Sequence, residues 1–227
     1  MQVIYEDNHL IAVNKACGEI VQGDKTGDET LIDKVKDYIK KKYDKPGDVY
    51  LGSPHRIDRP TSGVVLFAKT SKALTRLNEM FQDKDAIRKV YWAVVDKLPD
   101  PEEGTLEHYL WKDEGKNKSF ASASPRKRAK QGRLTYRHKA SLNRFHLLEV
   151  ELHTGRHHQI RVQLAKIGCH IKGDLKYGAT RSNPDGGIHL HARSLEFIHP
   201  VKKEPLKIVA VPPKNDPIWD ELRHFGD

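Results

Sequence analysis

The chain has 227 residues, enough to bury a sizeable hydrophobic core, and we expect a single domain over residues 1–227. Its 40 Lys and Arg residues outnumber its 31 Asp and Glu residues, and the net charge of +9 favours a polyanionic partner. No apolar run approaches the roughly 20 residues that a membrane-spanning helix needs, and the two cysteines, Cys17 and Cys169, are too few for a disulfide framework or a zinc-finger set.

The N-terminal part of the chain predicts two strands and a helix. Residues 3–5 and 10–13 are short apolar runs separated by turn-prone residues, which is typical of paired strands. Apolar residues at helical spacing then predict a helix over about residues 30–43. The first residues lack the basic and apolar regions of a signal peptide, so we expect a cytoplasmic protein.

One carboxylate stands among two arginines and a histidine in the stretch His55-Arg56-Ile57-Asp58-Arg59-Pro60-Thr61-Ser62-Gly63. Arg56 and Arg59 favour the charged form of Asp58, because a nearby opposite charge stabilises ionisation. Proline and glycine indicate a turn, and residues 64–67 then predict a buried strand. An ionised aspartate on a loop that enters a rigid strand suits a nucleophile or a base. The alternative is an ion pair that holds a surface turn.

The next two predicted elements are a helix and a strand. Ser71 is placed to cap a helix whose apolar side includes Leu77 and Phe81. Residues 88–95 are rich in β-branched and aromatic side chains, which predicts a strand. Tyr91 on that strand is either a core residue or a ring that stacks on a nucleic-acid base.

The strongest compositional signal is a stretch without acidic residues between Glu114 and Glu149. Its basic residues are Lys116, Lys118, Arg126, Lys127, Arg128, Lys130, Arg133, Arg137, Lys139 and Arg144. Residues 113–133 also lack apolar periodicity, so we predict a long loop between strands near residues 104–110 and 133–140. We interpret this loop as a flexible basic finger that follows phosphates, and the alternative is a solvated, disordered loop.

A strand predicted over residues 145–152 precedes the stretch Thr154-Gly155-Arg156-His157-His158-Gln159-Ile160-Arg161. Apolar residues at helical spacing, with Gly168 placed to end the pattern, then predict a helix. Arg161 flanks the buried stripe near the start of this helix and can reach a carboxylate on another element, for which Asp58 is the candidate. The histidines here lack the spacing of a further ligand, as in HExxH, so we expect no metal site.

The C-terminal part of the chain predicts a loop, two strands and a helix. The loop covers residues 173–178, and the strands cover residues 190–197 and 206–211. Asp216 is placed to cap a short final helix with Pro217 in its first turn. No repeat and no linker divides the chain, and many strands with few helices favour an α+β fold.

Five motifs occur together in order: His55-Arg56-Ile57-Asp58-x-x-Thr61-Ser62-Gly63, Lys89-x-Tyr91-x-Ala93, Thr154-Gly155-Arg156-x-His158-Gln159-Ile160-Arg161, Gly173-Asp174-x-x-Tyr177-Gly178 and Leu190-His191-Ala192. In this order they resemble the RluA family of RNA pseudouridine synthases, and the match spans nearly the whole chain. The resemblance implies an α+β fold, in which a large, mostly antiparallel mixed β-sheet has flanking helices and a central catalytic cleft.

The resemblance implies an enzyme that isomerises uridine to pseudouridine in structured RNA, either rRNA or tRNA, without a metal or an organic cofactor. It implies that Asp58 is the catalytic aspartate, that Tyr91 packs on the target base and that Arg161 pairs with the carboxylate. It also implies that Arg56 can fill the space that a flipped nucleotide leaves, because a stacked uridine cannot present its glycosidic bond. Whether Asp58 attacks the sugar or the base, or removes the 2′ proton, stays open.

The RNA-contacting residues that we expect are His55, Arg56, Arg126, Lys127, Arg128, Lys130, Arg156 and His158. We expect the chain to start directly at the catalytic domain, without the S4-type RNA-binding domain of many relatives. The basic loop at about 113–133 is then expected to supply more of the RNA grip. We expect a monomer that needs no protein partner.

Other classes of protein explain these residues less well. A catalytically silent RNA-binding domain would account for the charge and for Tyr91, but it gives Asp58 no reason to stand where phosphates approach. A glycoside hydrolase or an aspartic protease needs a second carboxylate, and the sequence offers no obvious partner motif. The silent RNA-binding domain is therefore the main alternative to the enzyme.

Overall fold

A ten-stranded mixed sheet forms the frame of the computed structural model, which describes residues 1–23 and 27–225. Its strands are β1 (Gln2–Glu6), β2 (Leu10–Lys15), β3 (Ser62–Ala68), β4 (Ile87–Val95), β5 (Glu103–Asp113), β6 (Lys118–Ser122), β7 (Lys130–Ser141), β8 (His146–Leu152), β9 (Leu190–Ile198) and β10 (Pro205–Val209). They lie in the order β1-β2-β3-β9-β4-β8-β7-β5-β6, with β10 paired to β9. The α+β fold that the sequence predicts is confirmed.

The described residues also form α1 (Leu31–Lys42), α2 (Ser71–Gln82), α3 (Gln159–Lys166) and α4 (Pro217–Leu222). Thr30 caps α1, and a hydrogen bond from its backbone N–H to Asp33 completes a capping box. The cap of α2 is Thr70 and not Ser71, because Thr70 is the residue that keeps an extended backbone while its hydroxyl accepts the Ala73 N–H. No helix in the described ranges is long and apolar enough to span a membrane.

The parallel contact of β3 with β9 joins the two halves of the sheet. Ser62 and Gly63 pair with His191 and Ala192, whereas the other strand pairs of the described sheet are antiparallel. Gly63 has φ +116°, and a Cβ at this position would collide with the backbone of Ala192. Only glycine allows this conformation and this close approach, so the residue fixes where the two halves meet.

A separate hydrophobic cluster fills each half of the sheet. On one side α1 packs its buried residues, including Val35, against β2 and β3. On the other side Ile160 and Leu164 of α3 pack among residues of β4 and β8. Tyr91 of β4 packs against both clusters, which places it at the boundary between the halves.

The segment 113–133 is not the long loop that its composition predicts. β5 and β6 form a hairpin in which Asp113 pairs with Lys118, and β7 begins at Lys130. Trp111 and Phe120 are cross-strand partners with ring centroids 5.7 Å apart, and such aromatic pairs stabilise a hairpin. The irregular part is therefore limited to the turn at 114–117 and the connection at 123–129. We call residues 109–133 the basic arm.

Candidate active site

The loop that carries Asp58 is held by a buried lysine. Lys15, at the end of β2, is 1% exposed, and its ammonium donates to the carbonyls of Ala16, Glu19 and Arg59 at 2.9, 2.8 and 3.0 Å. Burial lowers the pKa of Lys15 to about 8. The Thr61 N–H donates to the Asp58 carbonyl at 3.0 Å and closes the turn before β3. These bonds fix the backbone between Asp58 and the start of β3.

Arg161 joins Asp58 to a second carboxylate. Its Nη1 donates to Asp58 Oδ2 at 3.0 Å, which confirms the contact that the sequence predicts. Its Nε and Nη2 donate to Asp174 Oδ2 and Oδ1 at 2.7 and 2.8 Å in a bidentate pair. Burial alone would lower the pKa of Arg161, but the hydrogen bonds to Asp174 and the charge of Asp58 raise it. The guanidinium therefore stays charged and fixed in direction.

Asp58 and Asp174 differ in what they face. The Asp174 side chain is 1% exposed, so it serves only to hold Arg161, whereas 29% of the Asp58 side chain is exposed to the cavity. The sequence did not predict the role of Asp174, although its motif was visible. Of the two arginines beside Asp58 in the sequence, Arg59 forms its ion pair with Asp28 at 3.0 Å and not with Asp58.

Asp58 opens into a cavity of about 310 Å³ between the two halves of the sheet. Tyr91 lines it from β4, with Leu190, Ile160 and Leu152 around it. Burial, and in second place the charge of Asp58, raises the pKa of Tyr91, so its phenol stays neutral at working pH. Among the described lining residues Asp58 is the one carboxylate. The described residues thus offer the cavity no second carboxylate for a mechanism that needs one.

His158 forms part of the cavity floor and not of the exposed surface. It stands before α3 with φ +54°, it is 9% exposed, and its Nε2 lies 3.7 Å from Asp58 Oδ2. Its Nδ1 lies 2.8 Å from Tyr177 Oη, which accepts the Ser119 N–H at 2.8 Å. Burial, together with the charge of Arg161, lowers the pKa of His158 to about 2. We assign the proton of the neutral His158 ring to Nε2, which faces the carboxylate of Asp58. The Tyr177 hydroxyl then donates a hydrogen bond to His158 Nδ1.

We call Asp58, Arg161, Asp174, His158 and Tyr177 the cavity floor. Its members come from the Asp58 loop, from α3 and its first turn, and from the loop at 173–178, which contains a short 3₁₀ helix at Leu175–Tyr177. The Arg161 guanidinium carbon lies 5.0 Å from the Tyr177 ring centre. The floor thus holds an oriented carboxylate without help from a ligand.

His55 lines the cavity wall. Its Nε2 accepts the Leu66 N–H at 2.9 Å, and its ring stacks on Phe81 with centroids 4.6 Å apart. Burial lowers the pKa of His55 to about 3, so the ring is neutral and offers no charge to a phosphate. Arg56 and Arg156 also line the cavity, and both are exposed. These two arginines, unlike His55, present charge to an incoming polyanion.

The four candidate residues of the basic arm lie on its exposed surface. The Arg126 guanidinium stacks on the Trp111 ring at 4.4 Å. Lys127, Arg128 and Lys130 are exposed. The arm therefore combines exposed cations with an aromatic side chain, and it contacts the cavity floor at Ser119, whose N–H donates to Tyr177 Oη at 2.8 Å.

Comparison with known proteins points to one family. Residues 9–166 match the model of a family described as RNA pseudouridylate synthase. The chain is 32% identical over 225 residues to ribosomal large subunit pseudouridine synthase D of Zymomonas mobilis, covering 95% of this chain and 70% of that protein. It is 30% identical over 248 residues to tRNA pseudouridine synthase C of Vibrio cholerae, covering 100% of this chain and 96% of that protein.

The relatives differ from this chain in length, and a solved structure has a similar fold. The chain spans between 66% and 71% of the length of several curated relatives. The solved structure of human RNA pseudouridylate synthase domain containing 4 is similar, with a TM-score of 0.77, 24% identity and coverage of 94% of this chain and 89% of that one. At this identity the likeness concerns the fold alone.

Proposed function

Since the chain belongs to the family of RNA pseudouridylate synthases, we propose that it isomerises uridine in RNA to pseudouridine and that this reaction depends on Asp58. The observation that carries the proposal is the carboxylate of Asp58, held by Arg161 at 3.0 Å and open to the cavity. An aspartate with a fixed charged partner acts as a nucleophile or as a base. The enzyme is thus favoured over a silent RNA-binding domain.

The isomerisation is neutral in redox terms. The bond from N1 of the base to C1′ of the ribose breaks, and a bond from C5 to C1′ forms. The proton on C5 leaves, and N1 gains a proton, so no oxidant or reductant is consumed. Asp58 takes part either by attacking the nucleotide or by removing the 2′ proton. In both cases Arg161 holds its charge and its direction.

The other residues act on the position of the nucleotide. Tyr91 packs on the target base, because its neutral ring lines the cavity at the boundary of the two halves. A uridine within a stack cannot reach Asp58, so the nucleotide must leave the stack, and Arg56 at the exposed rim can fill its place. Arg156 contacts the strand at the same rim, and His55 and His158 contact the nucleotide as neutral walls.

The basic arm binds the RNA next to the cavity. Arg126, Lys127, Arg128 and Lys130 supply charge to phosphates, and Trp111 supplies an aromatic surface for an unpaired base. The relatives are named for the ribosomal large subunit and for tRNA, so the substrate that we propose is a structured RNA, either rRNA or tRNA. We further propose a single catalytic domain over residues 1–227 that acts as a monomer in the cytoplasm.

The direct test is tritium release from RNA that carries uridine labelled with tritium at C5. Wild type and Asp58→Asn are incubated with labelled rRNA and tRNA, and RNA binding is measured on the same preparations. Release by wild type alone, with binding by both, supports the proposal. Binding without release by wild type on both RNA classes would establish the silent RNA-binding domain instead. Mapping pseudouridine in RNA from cells that lack the protein then identifies the site.

A further inference from the structure

Lys89 is a buried cation that the roles above leave unexplained. It lies on β4 two residues before Tyr91, it is 8% exposed, and it lines the same cavity. Alternate residues of a strand point to the same face, so Lys89 and Tyr91 present their side chains to one side, about 6.8 Å apart along the strand. The nitrogen is not among the fully enclosed atoms that lack a partner. Its ammonium therefore reaches the cavity.

Within residues 1–23 and 27–225, Lys89 makes no ion pair and no side-chain hydrogen bond. Two carboxylates in this part of the fold, Glu151 and Asp58, already pair with arginines. Glu151 on β8 accepts from Arg88 Nε at 2.8 Å, and Asp58 accepts from Arg161 at 3.0 Å. The charge of Glu151 still acts on Lys89, but burial outweighs it and lowers the pKa of the ammonium.

The wall of the cavity beside Lys89 carries no negative charge. His55 and Phe81 form the adjacent wall, and the positive charge of Lys89 helps to keep His55 neutral. A buried charge without a partner is strongly destabilising. A partner that enters the cavity with a negative charge would remove this cost, and a phosphate of the RNA backbone is such a partner.

We propose that Lys89 binds a phosphate oxygen of the RNA strand beside the target nucleotide. The inference rests on the proposed function, because it takes RNA as the ligand of this cavity. A phosphate is favoured over a carbonyl of uracil, since a full negative charge compensates a buried ammonium and a carbonyl dipole does so only in part. Lys89 thereby anchors the RNA strand in the cavity in which Asp58 reacts.

The test compares Lys89→Met and Lys89→Arg with wild type on an RNA from which wild type releases tritium. Loss of one phosphate contact should reduce the slope of log K against log salt by about 0.7 to 0.9 in magnitude for Lys89→Met. Lys89→Arg keeps the charge and should keep most of the slope. The melting temperature of Lys89→Met should equal or exceed that of wild type, because an unpaired buried charge is removed.

A chemical variant of the RNA gives a second measurement, which removes the charge from the phosphate and not from the protein. A neutral methylphosphonate placed on one phosphate beside the target should weaken binding to wild type and leave binding to Lys89→Met unchanged. An unchanged salt slope for Lys89→Met, or equal sensitivity of both proteins to every methylphosphonate, would overturn the phosphate contact. A slower reaction at an unchanged slope would place Lys89 on a uracil carbonyl and overturn it too. Absence of tritium release by wild type would instead refute the proposed function.

Discussion

The cavity floor and the basic arm hold their charges in different ways. In the floor Arg161 pairs with two carboxylates, the Asp174 side chain is 1% exposed, and the neutral His158 fills the space beside Asp58. In the arm the cations are exposed, and Arg126 has an aromatic ring as its neighbour. The protein itself supplies the counter-charges of the floor, whereas RNA must supply most of those of the arm.

This difference separates orientation from affinity. Groups that are fixed before the substrate arrives need no reorganisation during the reaction, which favours catalysis. Exposed cations release counterions when they meet phosphates, which favours binding and makes it depend on salt. We therefore expect changes in the floor to affect the rate and changes in the arm to affect the affinity.

The two regions are nevertheless joined at one strand. Ser119 of β6 donates its N–H to Tyr177, and its hydroxyl lies within hydrogen-bond distance of both the ring and the carbonyl of His157. The His157 ring in turn stacks on His158 at 3.7 Å. Ser119 is therefore a direct contact between the arm and the cavity floor.

The largest effect is expected for Arg161→Met. The change leaves Asp174 buried without its partner, which should lower the free energy of unfolding by about 3–5 kcal/mol. The rate of tritium release should fall by about a thousandfold, the scale of losing a fixed electrostatic partner. Denaturant unfolding and single-turnover kinetics measure the two effects. Arg137→Met is the matched control, because this arginine pairs with Glu103 on the surface with both side chains 68% exposed. Equal effects of the two changes would contradict the distinction.

A large effect on affinity is expected when Arg126, Lys127, Arg128 and Lys130 are all replaced by alanine. Loss of four phosphate contacts should lower the magnitude of the salt slope by about 3 and leave the single-turnover rate at saturation close to wild type. The control replaces the exposed Lys40, Lys41, Lys45 and Lys84, which lie on or beside α1 and α2, and so removes the same charge. Binding isotherms at several salt concentrations give the result. The same slope change in both variants would mean that the arm contributes only net charge.

A smaller effect is expected for Tyr177→Phe, which removes the hydroxyl between the two regions. The Ser119 N–H and His158 Nδ1 then lose a buried partner, at about 1–3 kcal/mol of stability. Because His158 is no longer held, the rate at saturation should fall by about tenfold, or about 1.4 kcal/mol on the barrier. Tyr136→Phe, which loses one bond to the Pro101 carbonyl outside the cavity lining, should keep the rate. A Tyr177→Phe enzyme with the wild-type rate would show that His158 needs no support.

The smallest expected effect is on stability, and it arises from three buried histidines that are neutral in the folded chain. Burial lowers the pKa of His158, His55 and His191 to about 2, 3 and 4, below the ordinary value of 6.5. Below pH 6.5 these three histidines bind protons in the unfolded chain but not in the folded chain. Their contribution to the free energy of unfolding is therefore complete above pH 6.5 and is lost as the pH decreases toward 4. Each of these three histidines adds about 1.4 kcal/mol per pH unit to the slope below pH 6. His191→Gln should therefore reduce the slope of the unfolding free energy against pH by about this amount. Unfolding titrations at pH 5 to 7 decide it.

The contact at the centre of the site could be predicted from the sequence, and its surroundings could not. The position of Arg161 beside a buried helical stripe was enough to predict its contact with Asp58, since that stripe fixes which way the helix faces. The bidentate bond to Asp174 escaped prediction, because it depends on a loop whose shape follows from Gly178 and a 3₁₀ turn and not from any periodicity. The ion pair of Arg59 with Asp28 escaped prediction for the same reason, because it depends on the shape of a loop.

The basic arm shows why a strand can escape a pattern search. The buried residue of β6 is Ser119, while Phe120 is only half-buried, so the strand has no alternation of apolar and polar residues. Ser119 is buried where it forms hydrogen bonds with Tyr177 and His157, which lie far away in the sequence. Composition alone therefore predicted a loop where a hairpin forms.

The most direct measurement of the account compares Asp58→Asn with the four-alanine arm variant on one RNA, under single-turnover conditions with enzyme in excess. For each protein the dissociation constant and the rate of tritium release at saturation are determined. We expect Asp58→Asn to keep the wild-type dissociation constant and to release no tritium. We expect the arm variant to bind weakly and to release tritium at the wild-type rate. Tritium release by Asp58→Asn within tenfold of the wild-type rate would contradict the central role of the carboxylate.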